Sequence, residues 1–451
     1  MAVLTAGGPA IAHVRRLLGL VLAGCAIAPV HAGPLLEETL ARHRALLVLE
    51  PTAVPALTPI ALSGDGGSSF TAAVGGLGDD VRSFVLAPLR GEGGLRVRAD
   101  ATLADGRVEA RFGAAWWAND AYPLSFDGSS LSTGLGAGRI YASVERRHWG
   151  PSWISSLILD GSARPVPAVG WRKESETAFR TPLLSWLGPW QLDAFAGQTV
   201  ERRGPQHPHL LGLRVEVMPL RGLELAASRT IQWGGSGRPE TFRSLVRGLV
   251  GQDNTDATMP QADEPGNSLA GFDARYTYVF GAARTASIYG QAIGEDEAGH
   301  WPSHYLGLIG VDTAFAVGAA TVRVFAERAD TSMSGTFGNA ALGGAYRHHI
   351  YLDGYTHQGE PLGHPAGGDV RLSSLGVFVD AGTWSGTLMV HRGDAYATAQ
   401  LYPGGGRLAG VNGEATWQVD ASSRLGVAVA YWRDPLGERT RAQLWWRVAF
   451  R

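Results

Sequence analysis

Val108-Glu-Ala-Arg-Phe-Gly-Ala-Ala-Trp116 is the stretch on which the fold turns. Apolar Val108, Ala110, Phe112, Ala114 and Trp116 alternate with Glu109, Arg111, Gly113 and Ala115. Successive strand residues point to opposite faces, so a period of two reads as a β-strand with one apolar face and one polar or mixed face. The rhythm returns at Val322, Val324 and Ala326 against Arg323, Phe325 and Glu327, and at Phe272, Ala274 and Tyr276 against Asp273 and Arg275. It returns once more at Leu444, Trp446, Val448 and Phe450 against Gln443, Trp445, Arg447 and Ala449. In a soluble sandwich the polar face meets water; in a membrane barrel it meets the lumen while the apolar face meets lipid. Alternation by itself leaves both architectures open.

Composition tilts the choice. Only 18% of the 451 residues are charged, while glycine reaches 62 and tryptophan 14, which suits short strands and tight turns. Aromatics such as Trp116, Trp149, Trp190, Tyr276, Tyr351, Trp384 and Trp432 fall near strand ends, as interface girdles require, and Phe450 stands one place from the last residue. The expected fold class is therefore mainly β, a transmembrane antiparallel β-barrel. At roughly 18–22 residues per strand with its loop, the chain after the N-terminal part holds an even number of strands near 16 to 20. Long loops are expected around 145–175, 232–270, 293–304, 330–345 and 353–369.

Residues 1–32 read as a signal peptide, with Arg15 and Arg16 ahead of a short apolar run and a small-residue cleavage site at Val30-His-Ala32. Leu22-Ala-Gly-Cys25 also has the form of a lipobox, so Cys25 is either a lipidation site or part of a discarded leader. Residues 33–90 are expected to form a small periplasmic region of helices and loops, with a helix from Pro34 to about Val48, and 91–451 the barrel.

A net charge of -2 offers no field suited to nucleic acid, and one cysteine excludes internal disulfides. No nucleophile elbow, phosphate loop or dinucleotide fingerprint is present, so neither an enzyme nor a cofactor is expected. Arg146, Arg147, His148, Trp149 and Trp153 join hydrogen-bond donors to flat rings, the combination that binds sugars by stacking and hydroxyl contacts. The same residues would equally fill a lumen as a polar plug, together with Arg164, Asp273, Arg275, Arg323 and Glu327. Asp253, Asn254, Asp256, Asp263 and Glu264 form an acidic loop without EF-hand spacing, and His348, His349 and His357 with Asp353 lack a metal motif.

Several blocks together carry a family resemblance: His148-Trp-Gly-Pro-Ser152, Ser155-Ser-Leu-Ile-Leu-Asp-Gly-Ser-Ala-Arg-Pro165, Gly251-Gln-Asp-Asn254, Pro265-Gly-Asn-Ser-Leu-Ala-Gly-Phe-Asp-Ala-Arg275 and Gly359-Glu-Pro-Leu-Gly-His-Pro-Ala-Gly-Gly-Asp369. From about residue 80 onward the chain resembles the capsule assembly protein Wzi family. The resemblance implies an eighteen-stranded outer-membrane barrel with a small periplasmic helical part and an occluded lumen. It implies a cell-surface lectin that helps attach capsular or exopolysaccharide, without catalysis. The expected partners are that polysaccharide and outer-membrane lipid, with the protein itself a monomer. A porin-like channel is the alternative, and a surface hydrolase a more distant one.

Overall fold

The computed structural model describes residues 69–75, 96–104, 108–117, 122–173, 178–220, 222–249, 266–280, 284–298, 301–333, 341–420 and 423–450. The leader with Cys25, the expected helix after Pro34 and the acidic loop from Asp253 to Glu264 lie outside the described residues.

The strands in chain order are β1 (Ser69–Gly75), β2 (Arg96–Ala104), β3 (Val108–Trp117), β4 (Leu124–Ser125), β5 (Ser130–Leu135), β6 (Gly138–Ser143) and β7 (Ala168–Arg172). β8 (Trp190–Gln198), β9 (His209–Leu220), β10 (Leu223–Trp233), β11 (Gly266–Phe280), β12 (Arg284–Ala298), β13 (Trp301–Val317) and β14 (Ala320–Asp330) follow. The small hairpin β15 (Thr356–His357) and β16 (Glu360–Pro361) precedes β17 (Val370–Asp380), β18 (Trp384–Ala395), β19 (Gly406–Gln418), β20 (Ser423–Asp434) and β21 (Gly437–Phe450). Two short helices, α1 (Pro182–Ser185) and α2 (Phe242–Leu249), sit in connections. Among the described residues no helix is long and apolar enough to cross a membrane.

All but the β15–β16 hairpin belong to one nineteen-stranded sheet in which the pairings are antiparallel. The two-residue β4 and the adjacent β5 lie end to end along β3, at Trp116 and Arg111 respectively, so they form one interrupted strand. Each remaining strand pairs with its neighbours in sequence, and β1 pairs with both β2 and β21, matching Phe70 with Phe450. The ladder of pairings thus returns on itself in a barrel-like sheet.

The sheet begins earlier than alternation suggests. β1 falls within 33–90, where helices and loops were expected, because a seven-residue strand in glycine-rich sequence carries too few alternations to stand out. Around 293–304, where a long loop was expected, β12 and β13 instead run on to Ala298 and from Trp301.

The two faces are inverted relative to a soluble protein. On β11, Phe272 is 62% exposed and Tyr278 53%, while Asp273 and Arg275 between them are buried. Ile288, Ile309, Val311, Leu375 and Val429 likewise point outward, and Asp312, Arg323, Glu327 and Glu414 point inward. Large apolar side chains on the outside and charges on the inside fit a sheet whose solvent is hydrocarbon.

The interior also explains why glycine and aromatics are abundant together. Inward rings lie over glycines on the adjacent strand: Phe195 opposite Gly212, Tyr289 opposite Gly310, Phe325 opposite Gly376 and Trp432 opposite Gly410. A Cβ at Gly376 would stand 2.1 Å from the Phe325 ring, so only glycine leaves the ring room to lie flat.

The ends of the sheet differ. Strands alternate in direction, and the pairing of Phe70 with Phe450 puts the start of β1 and the end of β21 at one end. That end has the tight connections, including 136–137, 221–222, 281–283 and 318–319, with 173–189 the exception. The other end has the long ones, including 144–167, 199–208, 234–265, 331–369 and 396–405.

Candidate functional site

Residues 144–167 turn into the interior instead of crossing over its rim. Trp149, Trp153, Ile154, Leu157 and Ile158 are buried in the central apolar cluster with Phe195, Phe325, Tyr346 and Tyr355. Two serines and a carboxylate shape the segment: the Ser152 hydroxyl donates to Ser155 O (2.7 Å), the Ser156 hydroxyl to Trp149 O (2.6 Å), and Asp160 accepts from the Ser156 and Ser162 amides at 3.0 and 2.8 Å. Such local side-chain bonds satisfy a buried backbone that has no ladder partner. His148 is held between Ser152 O at 3.0 Å and Asp160 at 3.3 Å.

The wall grips this segment through Glu327, Arg275 and Arg323, which stood out in the sequence, and through Tyr289, Gln291 and Asp312, which did not. The Glu327 carboxylate accepts from the Trp153 amide (2.5 Å), the Ser152 hydroxyl (3.0 Å) and the Tyr289 hydroxyl (2.8 Å). The Trp153 indole N–H donates to Asp312 at 2.9 Å, and Arg275 pairs with Asp312 while donating to Pro151 O at 2.7 Å. The Arg323 guanidinium lies 4.0 Å from the Trp153 ring centre. Gln291 closes the cluster, accepting from the Leu157 amide at 2.8 Å and donating to Trp149 O at 2.6 Å. Asp273 is engaged elsewhere, bound in two-pronged fashion by Arg214 at 2.6 and 2.9 Å. Charged bonds of this kind fix a single register more than they add net stability, because each ion has been stripped of water.

The structure thus brings Trp153, Arg275, Arg323 and Glu327 together, with Arg164 farther along the same segment. The Arg164 amide donates to Glu360 and its guanidinium to Tyr122 O, both at 2.7 Å. Arg147 packs 4.1 Å from the Phe195 ring centre, whose edge also meets Trp149. Arg147, His148, Trp149 and Trp153 are buried and Arg146 half-buried, so both indole faces are covered by protein.

A second inward loop, 341–369, packs on the first. The Tyr346 hydroxyl donates to Leu157 O (2.8 Å), and the Asp160 amide donates to Leu362 O (2.7 Å). Burial lowers His364 to about 4 and raises Tyr346, so both stay neutral. Buried imidazoles act here as acceptors: His364 Nδ1 takes the Ala366 amide at 3.2 Å and His357 Nδ1 the Val200 amide at 3.1 Å. His348 and His349 stack on each other at 4.5 Å, with His357 separately committed. Among the described residues no group of three His, Cys, Asp or Glu is placed to hold a metal ion.

Above these loops the mouth is basic and aromatic. Asp353 ties 199–208 to 341–369 by accepting the Arg202 and Arg203 amides at 2.6 and 2.8 Å and Arg203 Nε at 2.7 Å. Burial alone would raise Asp353, but these hydrogen bonds hold it below the usual carboxylate range. The Ser236 amide donates to Gln206 O and the Tyr351 hydroxyl to Gly234 O, bringing 234–238 to the same place. Arg202, Arg203 and Arg347 are exposed there, with Arg238, His348 and Tyr351 beside them. Asp353 is half-buried and Glu240 exposed near them, while Glu201, Glu360 and Asp369 of the same loops are buried. Arg202 and Arg203 were missed in the sequence because a dipeptide of arginines in a loop carries no periodicity; only the meeting of three connections makes it a patch.

Comparison with known proteins adds an independent line. A family model described as capsule assembly protein Wzi matches residues 90–379. Over 183 residues, 41% of this chain, the sequence is 39% identical to an uncharacterised 55.8 kDa protein of the cps region of Klebsiella pneumoniae, and the match spans 36% of that relative. Among solved structures the chain is similar to Wzi of Escherichia coli, described as an outer-membrane protein involved in group 1 capsule assembly and a carbohydrate-binding β-barrel. That match has a TM-score of 0.69 at 23% identity and covers 85% of this chain and 84% of the other.

Proposed function

The chain belongs to the capsule assembly protein Wzi family, and from that membership we propose that it is a non-catalytic outer-membrane protein that binds surface polysaccharide at the long-loop end. The sheet is read as a transmembrane barrel of eighteen strands, the nineteen of the sheet with β4 and β5 counted as one. Short turns face the periplasm and long connections the cell exterior, the usual arrangement of such barrels.

The observation that carries the reading is the filled interior beneath a basic, aromatic mouth. With Trp149 and Trp153 committed inside, residues 145–167 serve as a plug, and the glycan is met by Arg202, Arg203, Arg238 and Arg347 with the stacked His348 and His349 rings. Guanidinium groups pair with carboxylates in planar geometry, so an acidic polymer is favoured over a neutral one. Each contact is weak at an exposed surface; a repeating polymer meeting many copies supplies avidity.

The test is titration of the folded protein with the host's own surface polysaccharide against an unrelated polymer. Saturable, selective binding that weakens with salt is expected, and Arg203→Gln with Arg347→Gln should cost roughly tenfold in affinity. Absence of binding by a correctly folded barrel overturns the lectin role.

A further inference from the structure

Helix α2 does not sit in the mouth with residues 234–238; it lies against the outer wall. On β10 the inward positions are Ser228, Thr230 and Gln232, which bond to Arg214, Tyr355 and Gly354 inside the sheet. Arg229, Ile231 and Trp233 therefore face outward, and these are the residues that hold the helix. Arg229 donates to Gly248 O at 3.0 Å and to the Ser268 hydroxyl at 3.1 Å, and the Trp233 indole N–H donates to the Ser244 hydroxyl at 3.1 Å. Ile231, though outward-facing, is buried beneath it. The helix is begun by Thr241, whose hydroxyl accepts the Ser244 amide at 3.1 Å while its own amide donates back to the Ser244 hydroxyl at 3.1 Å.

At 100° per residue, Ser244 and Gly248 form the stripe toward the wall and Phe242 and Val246 the opposite one. Phe242 is 81% exposed and Val246 38%. Arg243 and Arg247 occupy one flank, and the helix contains no acidic residue. An apolar stripe turned away from the wall, at the level where the sheet gives way to long loops, has no role facing water. It fits a headgroup–acyl boundary, where rings enter hydrocarbon and arginines reach headgroups.

We propose that α2 is an interfacial clamp for phosphate-bearing lipid of the outer leaflet, with Phe242 and Val246 entering the acyl layer and Arg243 and Arg247 pairing with lipid phosphate. This rests on the outer-membrane reading of the fold, with the loop end toward the cell surface. The clamp would fix the tilt and depth of the mouth relative to the membrane on which the glycan accumulates.

The experiment uses the full-length protein in phosphatidylcholine vesicles with and without lipid A, reading hydrogen exchange of residues 242–249 and lipid A retained on purification. Wild type should show slower exchange with lipid A than without it, because lipid A phosphates, unlike those of phosphatidylcholine, carry no choline charge beside them. Arg243→Gln/Arg247→Gln should retain about tenfold less of it, the order expected of two surface arginines. Phe242→Ser/Val246→Ser should lose protection while leaving glycan titration unchanged. Heat-modifiable migration of every variant reports the barrel separately, so a collapsed barrel overturns the membrane reading and not the clamp alone. Equal retention by the arginine variant overturns the clamp. So does protection by inorganic phosphate or by free polysaccharide without lipid, or equal protection by dephosphorylated lipid A.

Discussion

Glu327 is the residue on which the plug depends most. Its carboxylate accepts three hydrogen bonds, two of them from residues 152 and 153 of the inward segment. Glu327→Ala would strand a buried amide and two hydroxyls, at a cost of about 2–4 kcal/mol; unfolding in detergent should show it, and an unchanged midpoint would dismiss Glu327 as the anchor. The loop groups make stability depend on pH in two opposite ways. His364 stands at about 4 against 6.5 unfolded, because burial and the acceptor role of Nδ1 favour the neutral ring. Its contribution is present above 6.5 and lost as pH falls toward 4, on the order of 3 kcal/mol in full. Burial raises Glu201 from 4.5 to about 8, so its contribution is present below 4.5 and lost as pH rises through 8. Thermal midpoints across pH 4–9 should therefore fall at both ends. His364→Asn should flatten the acid limb and Glu201→Gln the alkaline one; parallel curves for wild type and both variants would refute the assignment.

At the scale of the strand, the outward face is the one the proposed membrane reading assigns to lipid. Phe272, in the middle of β11, is 62% exposed, and on a soluble protein Phe272→Lys would be nearly neutral. On a wall facing hydrocarbon it should cost about 2–4 kcal/mol, measurable as unfolding in lipid vesicles; a negligible cost would argue against membrane burial of that face. The inward face obeys close packing instead. A Cβ at Gly212 would come 2.1 Å from the Phe195 ring, which in turn supports Arg147 and Trp149. Gly212→Ala should destabilise the protein by about 1–3 kcal/mol and loosen the plug, seen as faster hydrogen exchange at residues 147–149. Exchange unchanged there would separate the ring from the plug.

For the molecule as a whole the decisive property is that the interior is filled. Beyond its chain ends at β6 and β7, the plug bonds to β11, β12, β13 and β14 together. Wild-type protein in a planar bilayer should show no steady conductance. Replacing residues 148–164 by a short glycine–serine linker should open an ohmic path while heat-modifiable migration persists. Steady conductance from wild type would favour the channel reading, and a closed linker variant would show that other loops suffice to block the lumen.

Strand alternation, the paucity of charge and the pairing of glycine with aromatics already determine a β-sheet whose two faces meet different media, because side-chain direction along a strand is a local property of the backbone. The inward positions of Asp273, Arg275, Arg323 and Glu327 were legible for the same reason. What local sequence left open was whether Arg147, His148, Trp149 and Trp153 face a sugar or the wall, since both uses ask for donors beside flat rings. Tertiary structure brings Asp312 and Glu327, more than 150 residues away in the chain, to the Trp153 indole and amide, which supports the wall-facing use. It alone also gathers Arg202, Arg203, Arg238 and Arg347 into one mouth and lays α2 on the outer wall. Those contacts are made between connections that share no periodicity, so they exist only once the strands have set where each connection begins and ends.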